Sequence, residues 1–157
     1  MKKFLQWFVS VPLVAGIFSA VIGYFIMTDK AGIYTSKVLP AHFPGQTAMI
    51  YFWVFILLCM CTGMWLITLR QTNINRKKNA VIDVCALMCV FACWAYMLFM
   101  SGRFNMAITF SICEIIIFLV VNLIFYLMDH RASYMLIPGF LWTIFTVYLS
   151  FAIKSLN

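Results

Sequence analysis

Charged side chains are nearly missing from this chain. Only 10% of its 157 residues are Asp, Glu, Lys or Arg, while 66% are apolar. No ordinary soluble domain has that balance, so lipid is the solvent for the fold. Alternating segments of about ten residues, which a membrane β-barrel requires, are absent too. Cysteine pairs at C-x-x-C spacing are missing: Cys59, Cys61, Cys85, Cys89, Cys93 and Cys113 all lie inside apolar runs and read as small, polarizable packing residues. There is no Ser/His/Asp set, no phosphate-binding glycine loop and no H-E-x-x-H, which leaves a binder favoured over a hydrolase. The two histidines, His42 and His130, fall in loops. Permanent haem ligation inside a span is therefore not expected, and no metal site or resident cofactor is assigned. Repeats and low-complexity tracts are lacking.

What is present is a series of long apolar runs, and they predict an all-α integral membrane protein, a single domain over residues 1–157 built as a bundle of five transmembrane helices. The spans fall at about 4–28, 46–69, 80–101, 104–128 and 132–153. The last has 22 uncharged residues from Ala132 to Ile153, enough helix to cross a hydrocarbon core of about 30 Å. The first follows Lys2 and Lys3 and is too long for a signal-peptide core, so it reads as a retained span. Its Ala15, Ser19 and Gly23 recur every four residues, a seam for close helix packing. Residues 29–45 form the longest linker, broken by Gly32, Pro40, Pro44 and Gly45. Asp83, near the mouth of the third span, is placed to stay hydrated or to pair with Arg76 to Lys78.

The net charge of +7 does not point to nucleic acid, because the basic residues sit in short gaps between spans and form no binding face. They act as topology determinants beside anionic headgroups. Seven Lys and Arg lie on the side of the N-terminus against four on the other, a modest bias toward an inside N-terminus.

Three places carry candidate chemistry. On the closing helix Pro138, Trp142, Phe145, Leu149, Ile153 and Leu156 recur at spacings of three and four, an inward stripe. The third span has Leu87, Phe91, Trp94 and Leu98 on one side, with Cys85, Cys89, Cys93 and Tyr96 roughly opposite. The aromatic side suits an internal ligand space and the cysteine side a packing partner, including a second copy in a homodimer; ordinary bundle packing on both faces is the alternative. Glu114 is the one charge near the middle of a span, sharing a face with Ser111, Phe118 and Asn122. An intramembrane carboxylate is a functional candidate by default, against the alternative of a protonated or hydrogen-bonded structural Glu.

The block Leu136-Ile-Pro-Gly-Phe-Leu-Trp142-Thr-Ile-Phe145-Thr-Val-Tyr-Leu149-Ser150, continued by Ile153, Leu156 and Asn157, resembles the final helix of the tryptophan-rich sensory protein / translocator protein family, the peripheral benzodiazepine receptors. That family's pattern is Pro-Tyr-x-x-Trp-x-x-Phe-Ala-x-x-Leu-Asn-x-x-Ile-x-x-Leu-Asn. Length, five spans, a long proline-bearing first loop and a very short third loop extend the resemblance over the whole chain. Gly139 stands where the family usually has Tyr, Thr146 for Ala and Ser150 for Asn. The loop motif Pro-x-Trp-x-Pro-Pro is reduced to Pro40-Ala-His-Phe-Pro44-Gly45, and Asn-x-x-Trp of the third helix becomes Phe91-x-x-Trp94. The second-helix Trp falls at Trp53 or Phe52.

The resemblance implies a membrane receptor or sensor with a pocket beneath the first loop that binds tetrapyrroles such as protoporphyrin or haem. His42, Phe43, Phe52, Trp53, Phe91, Trp94, Pro138, Trp142, Phe145 and Leu149 are the implied ligand-binding residues. Some bacterial members are reported to degrade protoporphyrin in light, which makes Trp142 and Trp53 the candidate catalytic residues of an alternative, enzymatic reading. A second alternative is a regulatory protein that binds lipid or a sterol-like molecule. A forward sterol motif fails at Tyr148, while the reversed Arg131-x-x-Tyr134-x-Leu136 fits. The expected setting is a bacterial cell membrane, with membrane lipid and a homodimer partner on the Cys85, Cys89 and Cys93 face.

Overall fold

The computed structural model describes residues 2–69 and 74–157, with side-chain positions at 2–12, 14, 15, 74 and 76 outside the described set. Five helices account for nearly all of it: α1 (Lys2–Thr28), α2 (Gln46–Leu69), α3 (Ile74–Ala95) continued by a π-helical turn (Tyr96–Met100), α4 (Phe104–Met128) and α5 (His130–Leu156). Among the described residues there is no strand. The segments Gln46–Leu69, Lys77–Met100, Phe104–Met128 and His130–Leu156 are each long and apolar enough to cross a membrane. At 1.5 Å per residue the 27-residue α1 is about 40 Å long, ample for the same task. The protein is an integral membrane bundle.

Packing closes the helices into a ring. α1 lies against α2, α2 against α5, α5 against α4, α4 against α3 and α3 against α1, with α2 also touching α3 across the middle. Close approach of α5 depends on two glycines. A Cβ on Gly63 of α2 would lie 2.9 Å from Leu136 Cδ1 and 3.0 Å from the Ala132 carbonyl. A Cβ on Gly139 would lie 2.6 Å from Phe118 Cζ and 3.2 Å from Ile56 Cγ2. The expected seam on α1 is not used this way. A Cβ on Gly23 or Gly16 meets nothing within 4 Å among the described residues, and α1 instead buries Ile22 and Ile26. Ala15 belongs to the side chains outside the described set.

The first loop is fastened at several points. Asp29, at φ 37°, accepts hydrogen bonds from the Ile33 and Tyr34 amides at 2.8 Å each. The π-helical turn bonds Ser101 N–H to the Tyr96 carbonyl, and the Ala31 N–H donates to the Phe99 carbonyl at 2.8 Å. At the far end of the chain, Asn157 accepts from Val38 N–H and donates to Val38 C=O, both at 3.0 Å. Side chains also satisfy the orphan carbonyls of helix ends: Gln46 donates to Ile26 O at 2.7 Å and Lys77 Nζ to Thr68 O at 2.7 Å. Lys77 is thus directed to α2. Arg76, another expected partner of Asp83, has its side chain outside the described set.

Candidate functional site

The ring of helices is filled by aromatic side chains. Trp53 from α2, Phe91 and Trp94 from α3 and Trp142 from α5 meet at its centre. Trp53 stands edge-on to Phe91 at 4.7 Å between ring centroids and edge-on to Trp142 at 6.1 Å, and it lies tilted 6.0 Å from Trp94. Such contacts combine large apolar burial with favourable quadrupole geometry. A line of rings leads from the cluster to the first loop: Trp94 touches Phe99 at 6.1 Å, Phe99 stacks on Tyr34 at 5.9 Å, and Tyr34 meets Phe43 at 5.3 Å. On the outer side Phe52 stacks on Trp142 at 5.1 Å with a 23° interplanar angle, while 48% of its surface stays open between α2 and α5.

The polar handles of this cluster are unequal. Trp94 Nε1 donates to Ser150 Oγ at 3.0 Å, a buried hydrogen bond that fixes its ring. The indole nitrogens of Trp53 and Trp142 are buried and have no acceptor among the described residues. A buried donor without a partner is a rare and costly arrangement in a protein interior. Both belong to rings in mutual contact, 6.1 Å apart.

The expected ligand-binding residues divide into three groups. Trp53, Phe91, Trp94, Trp142 and Leu149 are buried in the core, and Phe52, Phe145 and Pro138 form its partly open margin. Both candidates for the second-helix aromatic therefore contact Trp142, Trp53 from within and Phe52 from the edge. Phe43 joins through Tyr34, whereas His42 is exposed on the loop. The stripe predicted on α5 is corrected in detail. Its buried face runs through Leu136, Gly139, Trp142, Thr143, Thr146, Leu149, Ser150 and Ile153, with Pro138 and Phe145 at the flank and Leu156 47% exposed. On α3, Leu87, Phe91, Trp94 and Leu98 are fully buried, and Cys89 and Cys93 face outward with Cys85 half-buried.

Tyr34 and Phe99 are participants that helical spacing alone does not select, and Phe118, read only as a neighbour of Glu114 on one face of α4, joins them. Phe118 touches Phe91 at 6.0 Å and fills the space left by Gly139. Phe99 lies in the π-helical turn, where it is buried together with Leu98. An open groove of about 390 Å³, lined by Gly102 to Met106 and Lys154, shares no residue with the aromatic cluster.

A sequence model of the TspO/MBR family matches residues 8–156, nearly the whole chain. The chain belongs to the TspO/MBR family. No curated protein matches it. TspO/MBR membership supports a membrane sensor or receptor role, and the aromatic cluster under the first loop is the feature on which such a role can rest. Departures from the pattern of this family acquire a physical reason at Gly139. The volume a larger side chain would take is occupied by Phe118 from α4.

Proposed function

We propose that this TspO/MBR protein is a membrane receptor that takes a flat, apolar tetrapyrrole into the cluster formed by Trp53, Phe91, Trp94 and Trp142, in a bacterial cell membrane. The observation that carries the reading is the pair of buried indole N–H groups on Trp53 and Trp142, neither with an acceptor among the described residues. Ring faces supply dispersion and quadrupole contact to a macrocycle, and the two N–H groups suit carboxylate or carbonyl oxygens at its edge. The rings touch one another, so binding requires them to part. The stacked pair Phe52 and Trp142, open at the margin between α2 and α5, is the place to do so.

The protein side chains favour a metal-free porphyrin over a haem held by an axial ligand. His42 is exposed on the loop, and His130 lies 4.1 Å from Tyr126 at the start of α5. A homodimer through Cys85, Cys89 and Cys93 belongs to the same proposal, and the outward exposure of Cys89 and Cys93 supports it.

The test is a side-by-side titration of the full chain in detergent with protoporphyrin, haem and a sterol, followed by illumination of the complex. Saturable protoporphyrin binding with bleaching no faster than free porphyrin supports a receptor. Bleaching that needs both the protein and Trp142 supports the enzymatic alternative. Preference for the sterol, with no saturable porphyrin binding, refutes the proposal.

A further inference from the structure

Glu114 stands apart from the aromatic cluster and has no role in the reading above. It is 0% exposed, on the face of α4 turned toward α5 and α3. Neither carboxyl oxygen has a hydrogen-bond partner among the described residues. Among the described residues, the hydrogen-bonded structural Glu finds no protein partner.

Two contacts fix what lies opposite. Ser111 Oγ is 3.5 Å from Ser150 Oγ, and the Phe118 ring lies at Gly139. The helices are antiparallel, so Glu114, between Ser111 and Phe118, is level with Thr143 and Thr146 on α5, both fully buried. Every hydroxyl at this level has spent its hydrogen on the backbone. Ser111 donates to Ala107 O at 2.8 Å, Thr143 to Gly139 O at 2.9 Å, Thr146 to Thr143 O at 2.8 Å and Ser150 to Thr146 O at 2.8 Å. At this level those hydroxyls have only oxygen lone pairs left to offer.

Among the described residues no cationic side chain pairs with Glu114. α5 carries no Lys, Arg or His between Arg131 and Lys154. The titratable groups α3 offers along this stretch are Cys89 and Cys93, of which Cys93 is near enough to interact electrostatically with Glu114. The π-helical turn offers Tyr96 and α4 itself Cys113, both exposed. A carboxylate buried among acceptors in a membrane bundle calls for a positive charge from outside the chain.

We propose that Glu114 is the anionic ligand of an exchangeable monovalent-cation site, completed by the hydroxyl oxygens of Ser111, Thr143 and Thr146. Hydroxyl and carboxylate oxygens are the donor set a hard cation prefers. A proton and Na⁺ share the chemistry of a single positive charge held on the carboxylate, and the experiment separates them. The site adjoins the receptor cluster through a short polar chain. Ser111 meets Ser150, and Ser150 accepts the indole N–H of Trp94. Cation occupancy is thereby linked to the packing of α3, α4 and α5 around Trp94.

The experiment follows the thermal midpoint of the full chain in detergent, free of porphyrin. One series exchanges choline for Na⁺ at constant ionic strength and pH. The other varies pH in choline alone. Wild type gains about 5–10 °C in one series at a hundredfold excess of cation over its Kd, and Glu114→Gln loses that response. A gain with Na⁺ identifies a sodium site, and a gain with falling pH alone identifies a proton site. Flat behaviour in both series, or equal responses of wild type and Glu114→Gln, overturns the proposal. Thr146→Val, which keeps the carboxylate and removes one hydroxyl, covers the case in which Glu114→Gln does not fold. It weakens the responding titration by about tenfold, and an unchanged titration overturns the site.

Discussion

Replacing Gly139 by Ala tests the packing that shapes this bundle, because the same substitution should destabilise or stabilise the protein according to one neighbour. The added Cβ would lie 2.6 Å from Phe118 Cζ and 3.2 Å from Ile56 Cγ2. Phe118 cannot simply withdraw. It is fully buried, edge-on to Phe91 at 6.0 Å and tilted against Phe140 at 6.2 Å. Overpacking of this kind costs about 1–3 kcal/mol. Ala in place of Gly inside a helix returns about 1 kcal/mol, so the net loss is about 0–2 kcal/mol. At roughly 2–4 °C per kcal/mol for a chain of this size, the midpoint falls by up to about 8 °C. Thermal unfolding in detergent, followed by circular dichroism, measures it. In a Phe118→Leu background the clash is relieved and only the helix term remains, so Gly139→Ala should then be neutral or stabilising. A gain in stability in the wild-type background refutes the reasoning, as does an equal loss in both backgrounds.

Three further outcomes follow from single contacts. Ser150→Ala leaves the buried indole N–H of Trp94 without its acceptor at 3.0 Å and should cost about 1–3 kcal/mol in the same unfolding assay, whereas Ser155→Ala at the exposed end of α5 should cost little. Asn157→Ala removes both hydrogen bonds to Val38, so limited proteolysis should cut residues 29–45 faster while leaving the helices intact. Burial, with the charge of Asp29 second, pushes the Tyr34 hydroxyl above its ordinary range. Its contribution to stability is complete below the unfolded value of about 10 and is lost as pH rises further. Wild type should therefore lose stability in strong alkali through this group, and Tyr34→Phe should show a smaller loss.

The helices were legible because uncharged runs of membrane length leave little else for the backbone to do. Their ends were less so at α3. Hydropathy sees the apolar segment, but the backbone keeps its hydrogen bonds through Lys77, Lys78 and Asn79, and the helix begins at Ile74. The π-helical turn after Ala95 left no mark in the spacing, and it brings in Phe99. On α5 the stripe read at three and four found Trp142, Leu149 and Ile153 and missed Thr143, Thr146 and Ser150. Those hydroxyls are buried because each bonds to a carbonyl three or four residues back, a satisfaction that a ranking by apolarity does not see. The aromatic walls were recognisable one residue at a time. Tyr34 was not, since its place depends on Asp29 folding the loop back over Phe99.

In the proposed receptor the free indole N–H groups of Trp53 and Trp142 recognise a flat ligand within the aromatic cluster. The most direct test is the protoporphyrin Kd, read from porphyrin absorbance, for wild type and for Trp53→Phe, Trp142→Phe and the double variant, which keep an aromatic face at each position and remove the N–H donor together with part of the ring. The account predicts saturable binding to wild type, weakened about tenfold by each substitution and further by both. Equal affinity in all four proteins would contradict it.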